Sequence, residues 1–213
     1  MIITIDGPVA SGKSSVADDV AKKLGYSCLH TGLLYRALGY LFSQTQTIPD
    51  ITKLAYTYTH GRATITYNGN DITPYLADAS VGTTTSQLSA QKEVRDLLYT
   101  HFFQPYAQHN NFVAEGRDCG TVLFPYATVK IFLTASVQKR AERIMGDKNR
   151  HVRTLEQAIQ DIQKRDHNDT TRAISPLKPA DDAIIIDSSE MTYEETINQC
   201  VTKIEQRTKG IHS

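Results

Sequence analysis

Residues 2 to 15 read IITIDGPVASGKSS, an apolar run that closes in a loop of small residues ending in Lys13 and two serines. No other stretch restricts the fold as tightly. A continuous apolar run closed by a glycine loop reads as a strand buried on both faces of a parallel sheet. Beyond Lys13 the period changes: Val16, Ala17, Val20, Ala21 and Leu24 recur at helical spacing before Gly25, a suitable C-cap. Gly7 to Ser14 satisfies G-x-x-x-x-G-K-[ST] between that strand and that helix, the context in which the pattern makes a phosphate-binding P-loop. Its glycines let backbone N–H groups turn inward, the helix N-terminus adds partial positive charge, and Lys13 neutralises the β- and γ-phosphates of a nucleoside triphosphate. Gly7, Pro8, Val9, Ala10, Ser11, Gly12, Lys13, Ser14 and Ser15 are therefore the expected triphosphate site, with Ser14 near Mg²⁺. How the triphosphate is used stays open.

Further along, YSCLH offers a short second strand and TGLLYRALGYLF a helix with Thr31 near its start. NFVAEG, VKIFL and AIIID are three more buried-strand candidates, each followed by a loop and a helical segment. This alternation predicts an α/β fold with a largely parallel sheet. Between about Thr45 and Ser89 it breaks, and RATITYNGNDITPYL alternates with period two around an Asn-Gly pair. An inserted β-containing subdomain over 45–89 is the reading, with an elaborated surface loop as the alternative. SAQKEVRDLLYTHFFQPYA and ETINQCVTKIEQRT then return to helical spacing.

The whole chain of 213 residues suits one core carrying a small insert. Its 23 basic and 23 acidic side chains balance, so no basic field points to nucleic acid or an anionic membrane as partner. Cys28, Cys119 and Cys200 are odd in number and lack C-x-x-C spacing, which argues against a disulfide framework or zinc site and fits a reducing cytoplasm. No signal-type segment and no apolar run near eighteen residues is present, so neither secretion nor membrane spanning is expected. A monomer is expected, since no apolar surface helix stands unexplained.

A timer or motor needs only one phosphate site, yet a second cluster of anion-type residues recurs along this chain. Arg36 shares a predicted helix with Thr31 and Tyr35, which are four apart and on one face. Arg117 and Asp118 follow directly on a buried strand, at the carboxyl edge where open parallel sheets place their ligand crevice. In LEQAIQDIQKRDHNDTTR, the apolar stripe Leu155, Ala158, Ile162 continues through Arg165, Asp169 and Arg172, so the inward face is predicted to turn charged near the cleft. Arginines grip phosphate bidentately, and a carboxylate between them suits a ribose hydroxyl.

Taken together, ITIDGPVASGKSS, HTGLLYRAL, SQLSAQKEVRDLL, EGRDCGTVLFPYATVKIFLTAS and KRDHNDTTRAISPLKPADDAIIIDSS resemble the bacterial cytidylate kinase family of nucleoside monophosphate kinases over nearly the whole chain. GRDxGTVxFP and the RDxxDxxR run ending in A-x-x-P-L are the specific elements. The resemblance implies a three-layer P-loop kinase fold with a five-stranded parallel sheet, an enlarged monophosphate-binding subdomain, and a short lid with its following helix over 144–172. It implies transfer of the γ-phosphoryl group of ATP, with Mg²⁺, to CMP or dCMP in pyrimidine nucleotide metabolism. By matching position, Ser86, Arg95 and Asp118 would read the cytosine, Arg165 and Asp169 the ribose, and Arg36, Arg117 and Arg172 the α-phosphate of CMP. Thr31 and Tyr35 join this CMP set, Thr31 at a position usually held by serine. Lys13, Arg117 and Arg172 would be the catalytic cations.

Three departures stand out. Asn168 occupies a position where relatives commonly carry arginine, Ser14 one where many have glycine, and Glu115 one where aspartate is more common. Arg140, Arg143 and Arg150 flank the lid and are candidates to replace the missing cation. Two other readings stay open: a kinase of another small acceptor such as UMP or shikimate, and a GTPase-like switch or regulatory module. Against the switch stands the lack of an N-K-x-D motif.

Overall fold

The computed structural model describes residues 1–109, 111–146 and 154–209. The chain runs β1 (Ile2–Asp6), α1 (Lys13–Leu24), β2 (Ser27–His30), α2 (Thr31–Thr45), β3 (Leu54–Thr59), β4 (Arg62–Tyr67), β5 (Asn70–Asp71) and α3 (Ala79–Leu88). It continues through α4 (Lys92–Leu98), a π-helical stretch Tyr99–Phe103, α5 (Gln104–His109), β6 (Phe112–Gly116) and a second π-helical stretch Cys119–Leu123. Then come β7 (Val129–Thr134), α6 (Val137–Gly146), α7 (Leu155–Thr171), β8 (Ile184–Asp187) and α8 (Tyr193–Lys209).

Five strands form one parallel sheet in the order β2-β6-β1-β7-β8. Both faces are covered, which is why these strands read as apolar runs. Ile3, Ile5, Val113 and Ile131 pack with Val16 and Val20 of α1 and with Ile197, Cys200 and Ile204 of α8. Phe112 and Ala114 point the other way, into a core with Leu34 and Leu38 of α2, Leu98, Phe103 and Phe124. This is the predicted α/β architecture, and it has a positional consequence. β1 lies between β6 and β7, so its carboxyl end opens at the point where successive connections diverge, the usual crevice of a doubly wound sheet. Asp6 is in register with Gly116, and His30 with Glu115, so the ends of three strands reach the same edge.

Residues 54–71 form a three-stranded antiparallel sheet, β3-β4-β5, rather than an irregular surface loop. Its two turns are His60-Gly61 and Asn68-Gly69, all four residues having positive φ, as tight hairpins require. Helix α3 follows and gave no sequence signal, because ASVGTTTSQL is poor in apolar residues. Asp78 caps it by accepting from Ser80 N–H at 2.7 Å, and packing on α2 holds it. That approach is close: a Cβ on Gly39 would lie 2.6 Å from Thr85 Oγ1.

Candidate active site

The P-loop spans the turn from β1 to α1. Gly12, at φ 85°, takes the left-handed conformation that opens the helix, and Ala10 does so at φ 60°. Gly7 passes so near β7 that a Cβ there would sit 2.0 Å from the Leu133 carbonyl oxygen. The loop's carbonyls are turned toward cations. Lys13 Nζ donates to Pro8 O at 3.1 Å, Arg140 Nη1 to Val9 O at 3.0 Å, and Arg143 Nη1 to Ser11 O at 3.0 Å. Arg140 is itself paired with Asp166 on α7 at 2.6 Å, and Asp166 also accepts from Val9 N–H at 3.3 Å. Arg140 and Arg143 thus brace the P-loop through its carbonyls; this is a different task from replacing the missing cation at Asn168. Arg150 lies outside the described residues, as does the rest of 147–153 within the expected lid.

Lys13 is buried among unlike and like charges. Burial, then the Arg117 charge, pushes its ammonium down to about 7, against the pull of Glu115, Asp169 and Asp6. The nearby Ser11 Oγ is buried without a hydrogen-bond partner among the described residues, whereas Ser14 and Ser15 are exposed. Beside the loop, Asp6 accepts from Cys119 N–H at 2.9 Å and Gly120 N–H at 2.7 Å, which fixes the π-helical stretch after β6. Burial raises Asp6 to about 6 even though those two bonds oppose the shift.

A second cationic group gathers next to Lys13. Arg117 Nε donates to Asp169 Oδ2 at 2.8 Å. Arg172 reaches Asp118 at 3.5 Å and Asp169 at 3.9 Å, and its Nε donates to Ser175 O at 2.6 Å. Arg95 and Asp118, both buried, form an ion pair, and Arg95 also donates to Ser89 O at 3.0 Å. Burial pushes the Asp118 carboxyl up, and Arg95, Arg172 and Arg117 pull it back. The Arg95 guanidinium lies 5.4 Å over the Tyr35 ring. Tyr35 is 6 % exposed, and its hydroxyl, near Arg95, Asp118 and Arg172, has no hydrogen-bond partner among the described residues. Arg36 donates to the carbonyls of Leu76 and Asp78, and its Nη1 and Arg165 Nη2 converge on Gly82 of α3. Beside them opens a cavity of about 330 Å³ lined by Ser86, Gln87, Asn168, Asp169 and Arg172, among others.

Two expectations are corrected. The inward stripe of α7 runs from Ile162 to Asp166 and Asp169; Arg165 is exposed and points instead toward α3. Arg172 is not on the helix but caps it in an extended conformation, which turns its side chain back toward Asp118. Thr31 is the first residue of α2, at the helix start as expected, and its hydroxyl donates to Glu115 O at 2.9 Å. Asp6, His30 and Asp166 escaped the sequence reading altogether. Asp6 was hidden in the apolar run, His30 had no ligand-type spacing, and Asp166 lies one residue from the arginine chosen in its place.

The cytidylate kinase family model matches residues 3–206. The chain belongs to the cytidylate kinase family. It is 36% identical to the cytidylate kinase of Thermodesulfovibrio yellowstonii over 95% of this chain and 97% of that one. It is 38% identical to the cytidylate kinase of Thermotoga maritima (96% and 97%), and 39% to that of Ralstonia pickettii (93% and 89%). Among solved structures, a shikimate kinase from Bacteroides thetaiotaomicron superposes with a TM-score of 0.54 at 11% identity, over 98% of both chains. A gluconokinase from Sinorhizobium meliloti gives 0.53 at 13% identity, over 99% of this chain and 94% of that one. At such identities the likeness concerns the fold alone.

Proposed function

We propose that this chain transfers the γ-phosphoryl group of ATP to CMP or dCMP, giving ADP and CDP or dCDP. One observation carries this reading beyond family membership: the P-loop with its buried Lys13 and the Arg117 guanidinium leave the carboxyl ends of two neighbouring strands, where Asp6 of β1 is in register with Gly116 of β6. Two such cations at close quarters are stable together when polyanions lie between them. The P-loop supplies a donor-phosphate cradle on one side. Arg117, Arg172 and Arg36 supply an acceptor-phosphate cradle on the other.

In this reading Arg36, Arg117 and Arg172 hold the α-phosphate of CMP, and Arg165 and Asp169 the ribose. Ser86, on the wall of the 330 Å³ cavity, reads cytosine together with the Arg95–Asp118 pair. Asp118 has lone pairs to spare beyond its two arginines, so it can accept from the exocyclic amino group while Arg95 donates to the ring. Tyr35, whose hydroxyl has no partner among the described residues, offers it to the same ligand. Mg²⁺ suits the loop mouth, where the exposed Ser14 hydroxyl is a hard oxygen donor. When bound, the ion neutralises charge on the β- and γ-phosphates.

The acceptor is a phosphate already ionised at neutral pH, so no strong general base is required. Catalysis comes from alignment and charge neutralisation for in-line transfer. Lys13 steadies the donor, and Arg117 and Arg172 hold the acceptor and the transferred group. The three free buried cysteines fit a reducing cytoplasm, and among the described residues no helix is long and apolar enough to cross a membrane. The test is a panel of CMP, dCMP, UMP, AMP and shikimate with purified protein, ATP and Mg²⁺. CMP and dCMP should be the preferred acceptors, and Arg172→Ala should abolish most CMP-dependent ADP formation. Acceptor-independent hydrolysis alone, or near-normal turnover of the variant at saturating CMP, would overturn the assignment.

A further inference from the structure

His30 ends β2 where the P-loop helix, the central sheet and the inserted sheet meet. Its ring is buried, with Nε2 2.8 Å from Asp18 Oδ1 on α1 and Nδ1 3.1 Å from Glu115 Oε1 on β6. An ionised carboxylate only accepts hydrogen bonds, so a ring held between two of them carries a proton on each nitrogen. Two tyrosines of β3 complete the cluster. Tyr58 donates to the same Asp18 oxygen at 2.9 Å, and Tyr56 accepts from the His30 backbone N–H at 3.1 Å while donating to Cys28 O at 2.7 Å. Asp18, Cys28 and His30 place their donor atoms within 4.8 Å of one another. Both ring nitrogens already serve carboxylates, which favours a charge network over a metal centre.

Glu115 is the member closest to the chemistry. Its buried side chain faces the charges of Lys13 and Arg117, and among the described residues His30 is its hydrogen-bonding partner. We propose that His30 is a positioning residue for phosphoryl transfer: its imidazolium fixes the Glu115 carboxylate toward Lys13 and Arg117 and ties that point to α1 and the inserted sheet. The reach of glutamate matters here. An aspartate at 115 would withdraw its carboxylate by about one C–C bond, ~1.5 Å, beyond hydrogen-bonding range of the ring.

Electrostatics agree with this geometry. The groups facing His30 are Asp18, Cys28, Glu115, Tyr56 and Tyr58; those facing Glu115 are His30, Lys13 and Arg117, with the Cys28 and Cys119 thiols nearby. Burial is the largest influence on Glu115 and raises it, but the hydrogen bond and charge of His30, then Lys13 and Arg117, bring it down to about 2. Burial opposes the charged form of His30, and its bonds to Asp18, Cys28 and Glu115 outweigh burial and raise it well above the usual range. Without His30, burial regains control of Glu115, which then takes up a proton nearer neutrality.

The inference rests on the kinase reading for its kinetic readout, so the first test avoids activity altogether. In the unmodified protein, ¹⁵N spectra should show a doubly protonated His30 ring at pH 8.5; a neutral ring there would overturn the proposal. Second, kcat with ATP and CMP is followed from pH 5.5 to 8 in His30→Gln, Glu115→Asp, Glu115→Gln and His30→Gln/Glu115→Gln. Asp6, held near 6, contributes its own acid limb to every variant, so the reading is the additional loss relative to the unmodified protein. His30→Gln and Glu115→Asp should each lose about tenfold more kcat by pH 5.5, as expected of a carboxyl that takes up its proton about one unit above that pH. With Glu115→Gln in place, His30→Gln should add no acid limb. A loss uniform across pH, accompanied by a lower melting temperature, would mark His30 as structural and refute the positioning role. If His30→Gln does not fold, Glu115→Asp and the spectrum decide the matter. Absence of CMP turnover in the unmodified protein would instead strike the kinase reading and leave the spectral result standing.

Discussion

Replacing Tyr35 by Phe should make the unliganded protein more stable and its hold on CMP weaker. The Tyr35 ring packs 6.2 Å from Phe103 and lies beneath Arg95, contacts that Phe preserves. The hydroxyl is different, being buried without a hydrogen-bond partner among the described residues. An unsatisfied buried polar group costs about 1–3 kcal/mol, so its removal should recover at least ~1 kcal/mol. In a domain of this size that raises the melting temperature by about 2–4 °C. With CMP bound, the hydroxyl donates to an anionic acceptor, and a hydrogen bond to a charged group contributes about 1.5–3 kcal/mol. At 1.4 kcal/mol per factor of ten, KM for CMP should rise roughly tenfold to a hundredfold. Thermal unfolding with and without CMP reads both effects at once: the baseline midpoint rises and the CMP-induced increment shrinks. A variant that melts below the unmodified protein, or keeps the full increment and KM, would show that the hydroxyl is not waiting for a ligand.

Gly7→Ala should separate β1 from β7 locally, because its Cβ would stand 2.0 Å from Leu133 O. Overpacking of this kind costs about 1–3 kcal/mol, so urea unfolding should shift by that amount and KM for ATP should rise; unchanged values would refute the close approach. The pH dependence of kcat/KM for ATP reports the free enzyme, where Lys13 loses its proton near 7. Its sign follows: kcat/KM should fall as pH rises through about 7, whereas kcat should not, since bound triphosphate keeps Lys13 charged. A flat kcat/KM from pH 6 to 9 would contradict the depressed value. Asp118→Asn leaves Arg95 and Arg172 without their shared carboxylate, so stability should drop by about 3 kcal/mol and discrimination between CMP and UMP should relax, as chemical unfolding and the acceptor panel would reveal.

The parts of the site that could be read from the sequence are those encoded locally. Lys13 and its glycines sit in one turn, and Arg117 with Asp118 follows a strand whose apolar run fixes the direction of its carboxyl end. What escaped is set by helix phase or by tertiary packing. On α7, Arg165 and Asp166 stand three and four residues beyond Ile162, and both spacings are compatible with one face. At 3.6 residues per turn the two differ by about 100° in direction, and Asp166 is the one that reaches Val9 and Arg140. Helix α3 is likewise invisible in its own residues, because contact with α2 overrides the modest helical preference of its threonines. His30 draws its role from Asp18, Glu115 and two tyrosines that are distant in sequence, and no spacing rule brings these together.

The same helix explains why the two phosphate sites hold a common alignment. Asp166 binds the P-loop brace, and Asp169, three residues on, binds Arg117 and Arg172. Three residues of α-helix advance by about 4.5 Å. A rigid rod therefore sets the separation between the donor loop and the acceptor cations, which two independent loops would leave to fluctuate. In-line transfer is sensitive to misplacement of about 1 Å, so a helical ruler across the crevice suits it. Inserting one alanine between Asp166 and Asp169 should rotate one carboxylate about 100° away from its partners. Were alignment the function of this spacing, kcat would fall far more than KM for either substrate, and a proportionate loss in binding of both nucleotides would point instead to two separate anchoring roles.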